Sequence, residues 1–275
     1  IVDDGDLPGF PLQKECEEAG ITCMYHKKKT RGLTESRNVG ISLASGDVIF
    51  FLDDDEVLFQ DYVAEILKVY DLYPEPSVGG VGGIIADRKP LTTARRIRHI
   101  LDVLFLNAGI REGRVLPSGF CTEYGQTDFP YRAINKVDFL YGGVCSYKKE
   151  VFKDFLFSEK YKGYGLGEDK DFSFRVSKKY TLLVNPDAKL LHRESITMKP
   201  DMMQMGRMNI IHKYFFFKEH LRRGWWSWAF FYYGVLGYTV IRTLIFLVSP
   251  GKDESARLKG IVSAVRDIVR GRVSM

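Results

Sequence analysis

A helix-length segment followed by an uninterrupted apolar strand constrains the fold of this chain more than any other feature. The segment from Leu33 to Ala44 is predicted to be a helix that ends before Gly46, and the next apolar run extends from Val48 to Leu52. Apolar spacing predicts a second helix over 61–73, and 78–85 has the composition of a glycine-broken strand. This alternation predicts an α/β domain with a buried, mostly parallel sheet.

Weaker patterns predict the remaining elements. Ile1 and Val2 precede an Asp-Asp-Gly turn, so we expect them to end a strand whose partner lies upstream, in a longer protein. The segment 21–25 is also strand-like. Further along the chain the patterns favour a basic helix over 95–105, a strand over 137–141, a helix over 168–176, and strands over 181–184 and 189–192.

The bulk composition excludes some classes of protein. With 275 residues, 45% of them hydrophobic, the chain can bury the core of one large domain plus an appendage, which excludes a disordered protein. The net charge of +5 arises from 40 basic residues interleaved with 35 acidic ones, and this predicts no nucleic-acid partner. The four cysteines form no CxxC pair, so we expect reduced thiols in a cytosolic compartment.

The C-terminal part of the chain has a different character. Ala229–Val248 is apolar apart from Arg242 and is long enough to span a bilayer, yet basic residues flank both of its ends and favour the cytoplasm for both. Over 258–269, apolar residues share one helical face, which is typical of a helix that lies on an anionic membrane. The alternative is a buried hydrophobic hairpin or an oligomer contact.

The most specific local signal is the apolar strand that continues directly into Asp53, Asp54 and Asp55. Carboxylates at the end of a strand lie in the crevice where open α/β sheets bind ligands. Three adjacent carboxylates repel one another, and a hard divalent cation such as Mg²⁺ or Mn²⁺ relieves that repulsion. The alternative is an acidic loop that caps the next helix.

Five segments together resemble the inverting glycosyltransferases of family 2. The resemblance begins with three segments in the first part of the chain: Ile1–Asp6, Ser36–Ile41 and Gly46–Asp55. Two later segments extend it, Gly142–Phe152 and Gly167–Arg175. The resemblance covers about the first 200 residues. It implies a GT-A fold, in which a Rossmann-like half binds a nucleotide-sugar donor and the later half receives the acceptor.

The resemblance also implies roles for particular residues. It places Asp3 and Asp4 near the nucleoside base, Asp53 at the ribose or the metal, Asp55 as a direct ligand of Mn²⁺ or Mg²⁺, and Asp169, next to Glu168, as the general base. Arg37 is expected at the donor phosphates or in a salt bridge on a helix surface, and His192 near the metal or in a structural role. Asp171 is the alternative base. On the acceptor side we expect Gly142, Gly143 and Asp171.

The resulting prediction is a catalytic domain over 1–205 and a membrane-associating region over 206–275. The enzyme would transfer a sugar to a lipid-linked or glycan acceptor at the cytoplasmic side of the cell membrane. Two other functions stay open on the sequence. One is a nucleotidyltransferase with a related fold, and the other is a non-catalytic partner subunit of the same family.

Overall fold

The structure is a computed structural model, and it describes residues 1–5, 7, 12–74, 77–87, 92–125, 133–161, 166–193 and 201–273. The strands are β1 (Val2–Asp3), β2 (His26–Lys27), β3 (Val48–Phe51), β4 (Glu56–Leu58), β5 (Val78–Ile85), β6 (Arg114–Val115), β7 (Cys121–Thr122), β8 (Asn135–Val137), β9 (Cys145–Lys148) and β10 (Thr181–His192). The helices are α1 (Gln13–Glu18), α2 (Leu33–Leu43), α3 (Tyr62–Leu72), α4 (Thr93–Leu104), α5 (Glu168–Val176), α6 (Met202–Phe216), α7 (Ser227–Val248) and α8 (Lys252–Val269). A 3₁₀ turn over Lys149–Lys153 and a π-helical turn over Phe217–Leu221 complete the set.

A six-stranded sheet forms the centre of the molecule, in the order β3-β9-β5-β10-β4, with β8 also paired to β10. β10 runs parallel to β5, whereas the other described ladders of this sheet are antiparallel. The sheet is therefore mixed, and the prediction of a mostly parallel sheet was wrong. Apolar strands indicate burial, but they do not encode the direction of the neighbouring strand.

Helices cover both faces of the sheet. Tyr62, Ile66 and Val69 of α3 pack against β5 and β10 on one face. On the other face, Ile41 of α2 and Phe172 of α5 join a core that includes apolar residues of β3 and β9. This layered arrangement is the α/β architecture that the alternating pattern predicts.

Two of the weaker strand predictions need correction. The segment 21–25 is not a strand, and β1 pairs in parallel with β2, which follows that segment. Backbone hydrogen bonds from His26 to Ile1 (2.9 Å) and from Lys28 to Asp3 (2.7 Å) fix this pairing, which apolarity does not reveal. After Val137 the chain leaves the sheet, because the Leu140 amide donates to Ser173 Oγ of α5 at 3.1 Å.

The C-terminal helices pack against one another and against the catalytic layers. Ile210, Phe217, Phe231 and Ile261 share one buried cluster, which α6, α7 and α8 enclose together with the π-helical turn. α6 is continuous across the predicted boundary between 205 and 206, so that boundary lies inside a helix.

Part of the apolar face predicted for the membrane is buried inside the protein. Ile261, Ala264 and Ile268 of α8 are buried, whereas Val262 and Val269 stay exposed. Among the described residues, Ser227–Val248 is the one helix long and apolar enough to cross a membrane, and a third of its most apolar window (33%) is buried. α7 therefore has one packed face and one exposed apolar face.

Candidate active site

A cavity of about 1250 Å³ opens beside the ends of β1, β3 and β10. Such a volume exceeds that of a typical pocket for one small ligand, so it has room for a donor and the end of an acceptor. Its lining includes the carboxylates after β3, the start of α5, and residues of α6 and of the β6–β7 hairpin, and we call the part lined by α6 and the hairpin the far part. The charged and polar residues around it include Asp4, Arg37, Asp53, Asp54, Asp55, Glu123, Glu168, Asp169, Lys170, His192, Asn209, His212 and Lys213.

The carboxylates after β3 meet His192 because of the pairing between β4 and β10. This antiparallel ladder sets His192 opposite Glu56. As a result, His192 Nε2 lies 3.5 Å from Asp55 Oδ1, and the Arg193 amide donates to the Asp55 carbonyl at 2.8 Å. The structure thus brings together Asp53, Asp55 and His192, the residues that the sequence groups around a metal.

The electrostatics of this group suit a cation. Burial raises the pKa of Asp53, with Asp55 adding to the effect while Arg37 opposes it. Burial, followed by the charges of Asp53 and Asp55, raises the pKa of Glu56 to about 8, although the Asp53 amide donates to its carboxylate. Negative charge is therefore in excess here, and the oxygen and imidazole donors are ones that Mn²⁺ accepts.

Asp169 lies at the centre of the cavity, in the first turn of α5. Its Oδ2 accepts the Gly142 amide at 3.1 Å, and its Oδ1 accepts the Lys170 amide at 2.8 Å. Gly167, with a φ of 87°, lies directly before the helix in the left-handed conformation that glycine adopts without strain. Backbone groups alone thus orient this carboxylate toward the cavity.

Arg37 connects the two acidic groups. Its guanidinium contacts Glu168 Oε1 and lies 3.5 Å from Asp53 Oδ1, and it also packs near the rings of Phe51 and Phe157. The Arg37 side chain is only 9% exposed. It is therefore not the surface salt-bridge residue that the sequence left open, since it lies buried between the metal-side and base-side carboxylates.

One carboxylate oxygen of Glu168 accepts no hydrogen bond from the described residues. Burial, and then the charge of Asp169, raises the pKa of Glu168 to about 8 against the opposing influence of Arg37. Its Oε2 is buried and has no hydrogen-bond partner among the described residues. Because an unpartnered buried polar atom is costly, this oxygen is suited to a substrate hydroxyl.

Gly142 and Gly143 let side chains approach the backbone closely. A Cβ on Gly142 would lie 2.8 Å from the terminal nitrogens of Arg37, and a Cβ on Gly143 would lie 2.5 Å from Asp53 Oδ2. The pair therefore positions the charged groups around it. The sequence assigns both glycines to the acceptor side, whereas in the structure they separate the carboxylates after β3 from Asp169.

Asp3 and Asp4 point in different directions. Asp4 lines the cavity and accepts the Gly32 amide at 2.9 Å. Asp3 does not line it. Hydrogen bonds from Lys27 and then Tyr25 lower the pKa of Asp3 to about 2 and engage its carboxylate in the β1–β2 corner. The structure groups Asp4, but not Asp3, with the other predicted nucleotide-side residues.

Asp171 lies outside the cavity. It is buried, and its carboxylate accepts from Arg175 Nε at 3.0 Å and from His220 Nε2 at 2.7 Å. Glu219 lies beside this pair, but Arg175 already supplies the positive charge that a metal would bring. The structure therefore does not place Asp171 with the acceptor-side residues. Instead, Asp171 connects α5 to the π-helical turn after α6 through its contact with His220.

The sequence of this chain matches a known protein family. The profile described as "Glycosyl transferase family 2" matches residues 1–156, which is more than half of the chain. The chain belongs to glycosyl transferase family 2.

Curated relatives agree with this family. The family 2 chain is 25% identical over 153 residues to a glucosyl-dolichyl phosphate glucuronosyltransferase of Haloferax volcanii, with 55% of the chain and 42% of the relative covered. It is 34% identical over 70 residues to the glycosyltransferase GlyA of Streptococcus pneumoniae, with 25% and 10% covered. The chain thus spans less than half the length of these two relatives.

Solved structures show the fold. The mannosyltransferase PcManGT of Pyrobaculum calidifontis, determined with GDP-Man and Mn²⁺, is similar with a TM-score of 0.55 and 13% identity, over 99% of this chain and 77% of its own. The 1–349 part of S. aureus TarS is similar with a TM-score of 0.53 and 13% identity, over 99% and 72%. The family 2 chain has the GT-A fold that the resemblance implies.

Sequence reasoning missed the residues of the far part of the cavity. Glu123 directly follows β7, Lys170 lies on α5 and Lys213 lies on α6, and no local pattern connects them. Lys170 could have been found from the sequence, because it is a single basic residue inside the acidic segment Glu168–Asp171. Lys213 was assigned to the membrane region because the boundary was drawn inside α6.

Proposed function

We propose that this chain is a metal-dependent, inverting glycosyltransferase. It transfers a sugar from a nucleotide-sugar donor to a lipid-linked or glycan acceptor at the cytoplasmic side of the cell membrane. The observation that carries the proposal is the position of Arg37, which joins Asp53 on the metal side to Glu168 beside Asp169 within one cavity. A donor diphosphate and an acceptor hydroxyl can therefore meet between these two groups.

Asp53, Asp55 and His192 are the residues that would hold Mn²⁺ or Mg²⁺. The bound cation supplies Lewis-acid stabilisation for the diphosphate leaving group. Asp4 lies at the same end of the cavity and would contact the nucleoside. The Arg37 guanidinium adds positive charge next to the diphosphate, and burial makes that charge more effective than it is in water.

Asp169 is proposed as the general base. It takes the proton of the acceptor hydroxyl while the acceptor oxygen bonds to the anomeric carbon and the bond from that carbon to the diphosphate breaks. Nucleoside diphosphate leaves on the opposite face, so a single displacement inverts the anomeric centre. The free Oε2 of Glu168 would bind a sugar hydroxyl and so help to align the reacting groups.

An apolar surface on α4 and α7 supports contact with a membrane. The exposed face of α7 includes Phe230, Leu236 and Leu244, and α4 adjoins it through Phe105, whose ring centroid lies 5.6 Å from that of Tyr233. α4 leaves its apolar residues exposed as well, with Ile97 at 57%, Ile100 at 67% and Leu104 at 60%. We call these exposed faces of α4 and α7 the apolar surface.

Basic residues border the apolar surface. Arg95, Arg96 and Arg98 lie on α4, and Arg222 and Arg223 lie just before α7. An exposed apolar face bordered by arginines is typical of protein that lies in the interface of an anionic leaflet. The match to a relative named for dolichyl phosphate gives further support for a lipid-linked acceptor.

The test combines the full chain with a panel of nucleotide sugars, Mn²⁺ and membrane lipid extract. We expect release of nucleoside diphosphate, its loss on addition of EDTA, and a product whose anomeric configuration by NMR is opposite to that of the donor. Release of pyrophosphate would instead identify a nucleotidyltransferase. An absence of turnover with every donor, despite metal-dependent nucleotide binding, would favour a non-catalytic partner subunit.

A further inference from the structure

The far part of the cavity contains two lysines that the proposed chemistry does not use. Lys170 follows the candidate base Asp169 on α5, and Lys213 lies on the last turn of α6. Both side chains line the same cavity as the acidic groups, and the charges that act on Lys213 include those of Lys170 and Glu123. This part of the cavity therefore differs in charge from the donor side.

Lys170 has a carboxylate partner. Its Nζ lies 2.6 Å from Glu123 Oε1, and the other oxygen of Glu123 accepts from the Tyr141 hydroxyl at 2.7 Å. Burial alone would raise the pKa of Glu123, but the charge of Lys170, the hydrogen bonds from Lys170 and Tyr141, and the charge of Lys213 together lower that pKa to about 2. The Lys170–Glu123 pair is thus ionised and contributes no net charge.

Lys213 has no such partner. Its Nζ donates to Asn209 Oδ1 and lies 5.1 Å from the centroid of the Phe120 ring, but within the described part of the chain it forms no ion pair. Burial, and then the positive charge of Lys170, lowers the pKa of Lys213. The charge of Glu123 opposes this shift, but Glu123 is shared with Lys170, so two lysines face one carboxylate and one positive charge is left over. A bound anion would offset the cost of burying that charge.

We propose that Lys213, assisted by Lys170, binds the phosphate group of a phosphate-ester acceptor. This inference rests on the proposed function, because it names the chemical class of its acceptor. The proposed function places the donor diphosphate at Asp53 and Asp55, so a second anion bound at Lys213 would belong to the other substrate. Since Lys170 directly follows Asp169, an acceptor phosphate held there lies beside the base.

Binding of octyl phosphate to the full chain tests the subsite, with EDTA present so that the metal does not hold the probe. We expect Lys213→Met to weaken octyl phosphate binding by about ten-fold or more, the scale of one charge-assisted hydrogen bond, and Lys213→Arg to retain most of it. Lys218→Met is the matched control, because Lys218 is an exposed lysine just beyond α6. Thermal unfolding of each variant checks that it is folded.

Two further probes identify the source of the phosphate. Octanol should bind weakly and equally to the parent and to Lys213→Met, because it lacks the charged group. If inorganic phosphate binds as tightly as octyl phosphate and depends equally on Lys213, the subsite does not select an ester, and the assignment to the acceptor is overturned. Octyl phosphate binding that does not change in a folded Lys213→Met variant also overturns it.

A separate measurement keeps this inference distinct from the proposed function. Mn²⁺-dependent binding of nucleoside diphosphates reports on the donor side alone, and we expect Lys213→Met to leave it within about two-fold of the parent, since the two substrates occupy different parts of the cavity. Lys213-dependent binding of octyl phosphate in a chain that turns over no donor would contradict the proposed function and leave the subsite intact.

Discussion

The backbone amide of Gly142 donates a hydrogen bond of 3.1 Å to Asp169 Oδ2 and so joins the loop before β9 to the first turn of α5. A second amide, that of Lys170, fixes the other oxygen of the same carboxylate. Within the described ranges, these two backbone donors are the hydrogen-bond partners of the Asp169 carboxylate. By contrast, Asp171 of the same helix is held by two side chains and faces away from the cavity.

Asp169→Asn should lose transfer by about 10²-fold or more, because an amide cannot accept the acceptor's proton. The affinity for nucleoside diphosphate with Mn²⁺ should stay near that of the parent, since Asp169 is not among the residues proposed to hold the metal. Steady-state kinetics and calorimetry on the same preparation measure the two quantities. Normal turnover with unchanged nucleotide affinity would move the role to Glu168.

Asp171→Asn should instead lower stability. The substitution removes the charge that pairs with Arg175 and His220 in a buried site, for which we expect a loss of about 2–3 kcal/mol. The melting temperature should fall on the order of 5–10 °C. Calorimetry of both variants separates the two roles, and a melting temperature equal to that of the parent would contradict a structural role for Asp171.

The contacts of Asp171 with Arg175 and His220 also make the stability of the protein depend on pH. Burial raises the pKa of Asp171, but the hydrogen bond from His220 and the charge of Arg175 leave it below its ordinary value. An acid with a depressed folded-state pKa contributes stability above its unfolded pKa of about 3.9 and loses that contribution as the pH falls through the folded value. The difference in stability between the parent and Asp171→Asn should therefore be full at pH 7 and should shrink below about pH 4.

Asp55→Ala should abolish Mn²⁺-dependent binding of nucleoside diphosphate. The substitution removes the carboxylate that lies next to His192 and relieves the excess negative charge that would attract the cation. Asp47→Ala is the matched control, because Asp47 is an exposed carboxylate just before β3, at the opposite end of the strand. If both variants bind Mn²⁺ and nucleotide as the parent does, the metal assignment is wrong.

Local patterns predicted several helices and strands well, whereas β10 is one strand over Thr181–His192 where two short strands were predicted. The helix over 33–44, the strand over 48–52 and the helix over 168–176 match α2, β3 and α5 within one residue, because their apolar spacing and end signals are local. Strand direction was predicted wrongly and the β1–β2 pairing was not predicted, because both depend on contacts between distant segments. Propensity does not encode such contacts.

The same distinction applies to the cavity. The positions of Asp53, Asp55 and Asp169 follow from short motifs at the ends of elements. The burial of Arg37 between Asp53 and Glu168 does not, since it depends on how α2 packs against α5. A single side chain that points inward leaves no periodic pattern for a sequence argument to use.

The apolar surface should bind vesicles that contain an anionic lipid such as phosphatidylglycerol. The double substitution Ile100→Glu/Leu104→Glu should weaken this binding by about ten-fold or more, because it places charge on the exposed face of α4. The matched control is Val63→Glu/Leu67→Glu, which changes two exposed apolar residues with the same spacing on α3. Equal losses in sedimentation with vesicles would indicate nonspecific adsorption.

The last prediction concerns the two ends of α7. α8 follows α7 and packs back against α6, so both ends of α7 belong to one body with the catalytic layers. Since nucleotide sugars are cytosolic in the usual case, we expect Lys252→Cys and Arg272→Cys, each introduced into a background without the four native cysteines, to stay unlabelled by an impermeant thiol reagent in sealed cells. Both should react after lysis. Labelling from outside would show that α7 crosses the bilayer, and it would require α8 to separate from α6.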